Sequence, residues 1–159
     1  MKIDLIVTSR SNRALMKRLI NSLVTQKKYI RIIFINQNAK SYSDILSRFD
    51  YVEIKTQHLP LSRARNLGLS YCVNELVGFP DDDCWYEEDF FKQLFKYFAK
   101  EIKTDIVCTS VFDPYLSRTY GRRPMDIECD VDYSNILELP ISVGIFMRRN
   151  RLQKYISFD

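Results

Sequence analysis

With 159 residues, 46% hydrophobic and 28% charged, the chain has room for one domain with a hydrophobic core but not for two ordinary ones. That balance argues against disorder, and 24 Lys and Arg against 20 Asp and Glu leave a net charge of +4 without a block of like charge. Such a charge suits an anionic ligand or an anionic membrane surface and falls short of a nucleic-acid-binding signature.

In chain order, residues 2–8 read as a short buried strand built on Ile3, Leu5, Ile6 and Val7. Ser11 or Asn12 is placed to cap a following helix, in which Leu15, Leu19, Ile20 and Leu23 share one face. Residues 30–35 form a β-branched run that ends in the polar Asn36-Gln37-Asn38. A short helix over 41–48 and a short strand over 51–55 follow. Residues 61–73 read as helix, 75–79 as a strand running into Pro80-Asp81-Asp82-Asp83, and a further helix begins near Glu87. Glu87, Glu88 and Asp89 suit its N-terminus, and Phe90, Phe91, Leu94, Phe95 and Phe98 form its apolar stripe. Residues 105–110 and 141–147 are two more strand candidates.

Strand and helix alternate through the first two thirds, which predicts an α/β fold with a mainly parallel sheet flanked by helices. Ligands of such sheets bind beyond the carboxyl ends of the strands. Three strands end in polar residues, at 8–10, 36–38 and 81–83, so all three sets are expected on one rim. The four cysteines (Cys72, Cys84, Cys108, Cys129) make no C-x-x-C pair and His58 is the single histidine, which leaves a zinc site without support. Scattered thiols and no signal peptide fit a reducing cytoplasm. No run approaches the roughly 18 to 20 apolar residues of a membrane span, so any membrane association is expected to be peripheral.

Three consecutive aspartates after a buried strand repel and raise one another's pKa, a cost that a divalent cation removes. Asp81 and Asp83, two apart in an extended segment, are able to point the same way and share one ion. Oxygen ligands favour Mg²⁺ or Mn²⁺, completed by water and substrate phosphates. The competing reading is a solvated turn with Asp83 capping the next helix. Neither G-x-G-x-x-G nor G-x-x-x-x-G-K-[ST] occurs among only four glycines, so phosphates here need a metal and arginines. Arg63 and Arg65, at the start of the 61–73 helix, are the candidates.

The segments Ser62-Arg63-Ala64-Arg65-Asn66-Leu67-Gly68 and Phe79-Pro80-Asp81-Asp82-Asp83-Cys84-Trp85-Tyr86 together resemble the family 2 glycosyltransferases, most nearly the bacterial group that builds surface polysaccharides. The resemblance covers nearly the whole chain. It implies a GT-A fold, Rossmann-like, as a single donor-binding domain over 1–159, the N-terminal part of a longer enzyme. The implied donor is a nucleotide-diphosphate sugar, UDP-linked first, and the acceptor a saccharide or polyprenyl-linked molecule. Asp83 would ligate the cation, with Asp81 on the ion or the ribose and Asp82 in the nucleotide-sugar set. Thr8 and Arg10 would line the base and ribose pocket, and Arg65 and Asn66 would hold the nucleoside, with Arg63 behind them. Transfer would invert the anomeric centre, at a cytoplasmic or inner-membrane location.

Two departures accompany the resemblance. Asn36 stands where many relatives carry a base-reading aspartate, and its amide keeps hydrogen-bonding capacity toward a pyrimidine. The chain stops at Phe158-Asp159, short of the family's acidic Gly-Glu-Asp-like base segment, so a fragment that binds donor and transfers poorly is expected. Glu128, Asp130 and Asp132 have the chemistry of a base at the wrong place. Trp85 and Tyr86 read first as core aromatics and His58 as an exposed loop residue. Arg118, Arg122, Arg123, Arg148, Arg149 and Arg151 read as scattered solvated charge. The rival readings are a sugar nucleotidyltransferase, disfavoured by the glycine-free Thr8–Asn12 segment, and a non-catalytic nucleotide-sugar binder.

Overall fold

The strand-rich apolar runs assemble into one six-stranded sheet. The structure is a computed structural model and describes residues 1–10, 13–120, 128–152 and 157–158. The strands are β1 (Ile3–Ser9), β2 (Ile30–Asn36), β3 (Asp50–Lys55), β4 (Leu76–Gly78), β5 (Ile106–Cys108) and β8 (Ile145–Arg148), with β6 (Val111–Asp113) and β7 (Arg118–Tyr120) forming a separate hairpin. The order across the sheet is β3-β2-β1-β4-β8-β5. β1 to β4 run parallel, and β8 lies antiparallel between β4 and β5.

Parallel strands at the centre of a sheet are covered on both faces, and the period-two alternation divides the core accordingly. Ile3, Leu5 and Val7 of β1, with Ile30, Ile32 and Phe34 of β2, face α1 (Arg13–Leu23) and α4 (Phe90–Lys100). Ile6, Ile33, Ile35, Val77 and Phe79 face α3 (Leu61–Leu69) through Ala64. α1 buries Met16, Leu19, Ile20 and Leu23, and α4 buries Phe91, Leu94, Phe95 and Phe98, the periodic stripes read from the sequence. Two four-residue helices, α2 (Ser43–Leu46) and α5 (Arg149–Leu152), complete the set. Ser11, Asn12, Arg122, Arg123 and Asp159 lie outside the described residues.

Two boundaries and the exposure of one arginine differ from expectation, each involving a buried polar side chain. α3 ends at Leu69, where Ser70, Tyr71 and Cys72 tighten into i→i+3 bonds. The fully buried Asp4 carboxylate then accepts from the backbone N–H groups of Val73 and Asn74 at 2.7 and 2.8 Å and from the Asn74 amide at 2.7 Å. α4 starts at Phe90, so Glu87, Glu88 and Asp89 precede it. Buried Gln26 fixes that start, donating to the Glu87 carbonyl and accepting from the Phe91 N–H, both at 2.8 Å. Arg148 is not solvated charge: it is 4% exposed. It pairs with Glu75 and donates to the carbonyls of Phe98 (2.6 Å) and Thr104 (3.1 Å), tying β8 to β4 and the end of α4.

Gly68 lets α3 lie close to β1. A methyl added there overlaps Ile6 Cγ2, with Ile6 Cγ1 and Cδ1 at 3.2 and 3.3 Å, and Ile6 is wholly buried. Gly68→Ala is therefore expected to destabilise the fold by about 1–3 kcal/mol through overpacking. The companion Ile6→Ala change, which removes Cγ2, should cost less stability in the Gly68→Ala background than in the wild type, as measured by urea unfolding. Additive losses would place the strain elsewhere.

Candidate functional site

The carboxyl ends of β1, β2 and β4 meet at one rim, as the polar strand ends predicted. After Gly78 the chain passes through Phe79-Pro80 and resumes a parallel bridge with β1, pairing Asp81 with Thr8. It then turns, with the Cys84 N–H donating to the Asp81 carbonyl at 3.3 Å. The aspartates thus occupy a turn rather than the expected extended segment, because the Asp81–Thr8 bridge fixes one end and the chain reverses from it. All three still line one cleft of about 530 Å³, together with Thr8, Arg10, Gln37 and Leu61. That volume lies within the usual range for small-molecule sites.

The turn is held from two sides. Buried Arg65 of α3 donates to Asp81 Oδ1 at 2.9 Å and to the Ser142 hydroxyl at 3.2 Å. From α1, Arg18 donates to the Asp83 carbonyl and lies over the Trp85 ring at 4.4 Å. Tyr86 packs against Phe90, Phe91 and Phe146 and donates its hydroxyl to the Val143 carbonyl at 3.1 Å. It is a core aromatic, while Trp85 is partly exposed beside the acidic turn.

Burial pushes the Asp81 carboxyl above its ordinary value, Arg65 pulls it down, and the charges of Asp83 and then Asp82 raise it further. The Cys84 thiol is pushed up to about 12, by burial first and then by Asp81, so it stays protonated. Among the described residues no group of three or more acidic, histidine or cysteine side chains is arranged to hold an ion by itself. The donor set fits a cation carried by one or two carboxylates and completed by water and a ligand's own oxygens, the habit of Mg²⁺ and its relatives. Asp81 and Asp83 are the residues of this cleft that would hold it.

Thr8, Arg10, Asp81, Asp82 and Asp83 converge on the cleft as expected. Asn36 does not line it. Its buried amide donates to the Lys40 carbonyl and to Glu53 and accepts from the Asn38 N–H, at 2.8, 2.7 and 3.1 Å. Strand alternation turns Asn36 inward, and the next residue, Gln37, takes the rim position. Gln37 Oε1 accepts from the Leu59 N–H at 2.7 Å while Arg10 donates to the Leu59 carbonyl at 3.3 Å, so the two fix the loop into α3. Asn66 is engaged with the Phe158 backbone, donating to its carbonyl at 2.7 Å and accepting from its N–H at 2.8 Å. Arg63 is exposed, on the side of α3 away from Arg65. Glu128 accepts from the Tyr97 hydroxyl at 2.9 Å, and Asp132 accepts from Ser134 within its own turn. Neither lines the cleft. A larger cleft of about 850 Å³ runs along β5, lined in part by Tyr97, Tyr120, Glu128 and Leu139, and contains no residue of the acidic turn.

The model of the family described as glycosyl transferase family 2 matches residues 4–158, nearly the full chain. The chain belongs to glycosyl transferase family 2. Among curated proteins, this family 2 chain is 27% identical to the glycosyltransferase GlyA of Streptococcus pneumoniae serotype 4, over 99% of its own length and 23% of GlyA. Its fold is that of GT-A glycosyltransferases. S. aureus TarS superposes with a TM-score of 0.79 at 16% identity, over 100% of this chain and 30% of TarS. TarS 1-349 in complex with UDP-GlcNAc gives 0.76, covering 97% and 47%. The mannosyltransferase PcManGT of Pyrobaculum calidifontis, in complex with GDP-Man and Mn²⁺, gives 0.72 at 14% identity, covering 99% and 47%. The chain therefore spans between about a quarter and a half of the length of these proteins. No helix among the described residues is long and apolar enough to cross a membrane.

A carboxyl held above its ordinary 3.8 keeps its proton more tightly folded than unfolded. Asp81 therefore contributes a loss of stability as pH rises from that value through its raised one in the ligand-free fold. Asp81→Asn lacks this contribution. Urea titrations at several pH values should show the variant gaining on the wild type across that window, with a constant difference above it. A difference independent of pH would mean that Arg65 fully offsets burial.

Proposed function

We propose that this chain is the donor-binding domain of a metal-dependent, inverting glycosyltransferase that uses a nucleotide-diphosphate sugar, UDP-linked first. The observation that carries the reading is the convergence of Thr8, Arg10 and Gln37 with the three aspartates on one cleft at the carboxyl ends of parallel strands. Two structures sharing the fold, TarS 1-349 in complex with UDP-GlcNAc and PcManGT in complex with GDP-Man and Mn²⁺, support a donor of this class.

In this reading Thr8, Arg10 and Gln37 flank the base and ribose, and Asp83 and Asp81 would hold the cation. Asp82 completes the acidic wall. The cation, Mn²⁺ or Mg²⁺, supplies positive charge that stabilises the departing diphosphate. Arg65 stays behind Asp81, orienting its carboxylate, which leaves Arg10 as the arginine of the cleft nearest to an anion. The acceptor is a saccharide or a polyprenyl-linked molecule. A reducing cytoplasm suits Cys72, Cys84 and Cys108, which are held as thiols, with peripheral contact at the inner membrane face as the route to a lipid-linked acceptor.

Calorimetric titration of UDP tests the assignment. Wild type with Mn²⁺ should bind, and both chelator and Asp83→Ala should weaken binding at least about tenfold, an energy of about 1.4 kcal/mol. Equal affinity with and without metal would overturn the metal-dependent reading. Metal-dependent release of free UDP from a UDP-sugar would separate an enzyme from a pure binder.

A further inference from the structure

Asn66 was expected at a nucleoside, yet both ends of its amide are occupied by one residue near the far end of the chain. Nδ2 donates to the Phe158 carbonyl at 2.7 Å and Oδ1 accepts from the Phe158 N–H at 2.8 Å. Nδ2 also reaches the Ser157 hydroxyl at 3.5 Å. An amide side chain that pairs with both polar groups of one peptide residue copies a strand-to-strand bridge. It fixes the position and the orientation of that residue together.

The ring so fixed has a specific neighbour. Phe158 meets Phe79 edge to face, with centroids 4.9 Å apart at 77°. The Arg65 guanidinium lies 5.4 Å from the Phe158 centroid and 6.0 Å from that of Phe79. Arg65 is one position before Asn66 on α3, and Phe79 directly follows β4, two positions before Asp81. The guanidinium therefore lies against one side of this ring pair while it donates to Asp81 Oδ1 and the Ser142 hydroxyl. With Phe158 displaced, Arg65 would lose a ring contact and part of its cover from water, and the ion pair would weaken by screening.

We propose that Asn66 is a positioning residue rather than a nucleotide contact. It latches Phe158 over Arg65, and the latched ring holds the Arg65–Asp81 pair in the geometry that the acidic turn requires. The sequence Arg65-Asn66 then works as one unit: the arginine aims the carboxylate, and the asparagine keeps the arginine covered. Nucleotide affinity becomes sensitive to Phe158, a residue that does not line the cleft. The affinity readout rests on the donor-site reading above, and a second readout needs no nucleotide.

The test is a double-variant cycle on the full chain. UDP is titrated with Mn²⁺ into wild type, Asn66→Ala, Phe158→Ala and the double variant, with urea unfolding run in parallel. Each single change should weaken UDP binding about tenfold, as expected for loss of a pair of hydrogen bonds or of the partly buried ring they hold. The double variant should bind no more weakly than either single one, because both break the same latch. Losses that multiply, or a loss in Asn66→Ala with none in Phe158→Ala, would return Asn66 to direct contact and overturn the proposal. A merely structural role would lower the urea midpoint and leave the dissociation constant of the folded chain unchanged, which overturns it equally. If Phe158→Ala fails to fold, Phe158→Leu takes its place.

In the ligand-free protein, the Arg65 Nε–H resonance in ¹H–¹⁵N spectra should shift in the same direction in both single variants. An unmoved resonance in Asn66→Ala would overturn the latch without any nucleotide. A wild-type chain that fails to bind UDP would sink the donor assignment and leave this spectrum to decide the latch.

Discussion

Arg65 lies beneath the acidic strand end with its charge almost wholly withdrawn from water, and this buried cation constrains everything around it. A guanidinium in that position is tolerable only with a carboxylate and further acceptors in place, because a lone buried charge costs several kcal/mol. Asp81 answers with one oxygen and Ser142 with a hydroxyl. The pair needs α3 and β4 at fixed separation from β1, which is the spacing set by the missing side chain at Gly68 and by the Thr8–Asp81 bridge. The site is consequently a property of the sheet and its helix, with the acidic turn as its visible edge.

Other buried polar groups serve as anchors of the same kind. Asp4 gathers the chain entering β4, Gln26 sets the first turn of α4, and Arg148 ties β8 to the loops on either side. Each joins segments distant in sequence by charge-assisted or amide hydrogen bonds within a low-dielectric interior, where such bonds strengthen and their loss is costly. Between them they leave the cleft side of the sheet open and its opposite end closed.

Much of this was legible in the sequence. Apolar periodicity located the strands and the two long helices, and the polar residues at three strand ends marked the rim that carries Thr8, Arg10 and the aspartates. What escaped was side-chain direction. Asn36 and Gln37 are adjacent and chemically alike, and only the pleat decides which of them faces the cleft. Asn66 has a partner 92 positions away that no local pattern announces. Arg148 sits among basic residues and reads as surface, until the insertion of β8 between β4 and β5 draws it inside. That insertion was hidden as well, since the apolar run at 141–147 states that a strand exists and not which neighbours it joins.

The placement of β8 also orders how the molecule comes together. β1, β2 and β3 pair in parallel through local crossovers, whereas β4 must return to β1, pairing Leu76 with Ile3, and β8 must then return to β4, pairing Arg148 with Leu76. Until it arrives, one edge of β4 has unpaired backbone groups and β5 has no partner in the sheet. Loops of that length close late, and exposed edges in the interval invite pairing with other chains. On a ribosome the parallel half would form first and wait for its keystone, the strand that fuses the β5 edge to the rest. The time between those two events is when this polypeptide is most exposed to aggregation.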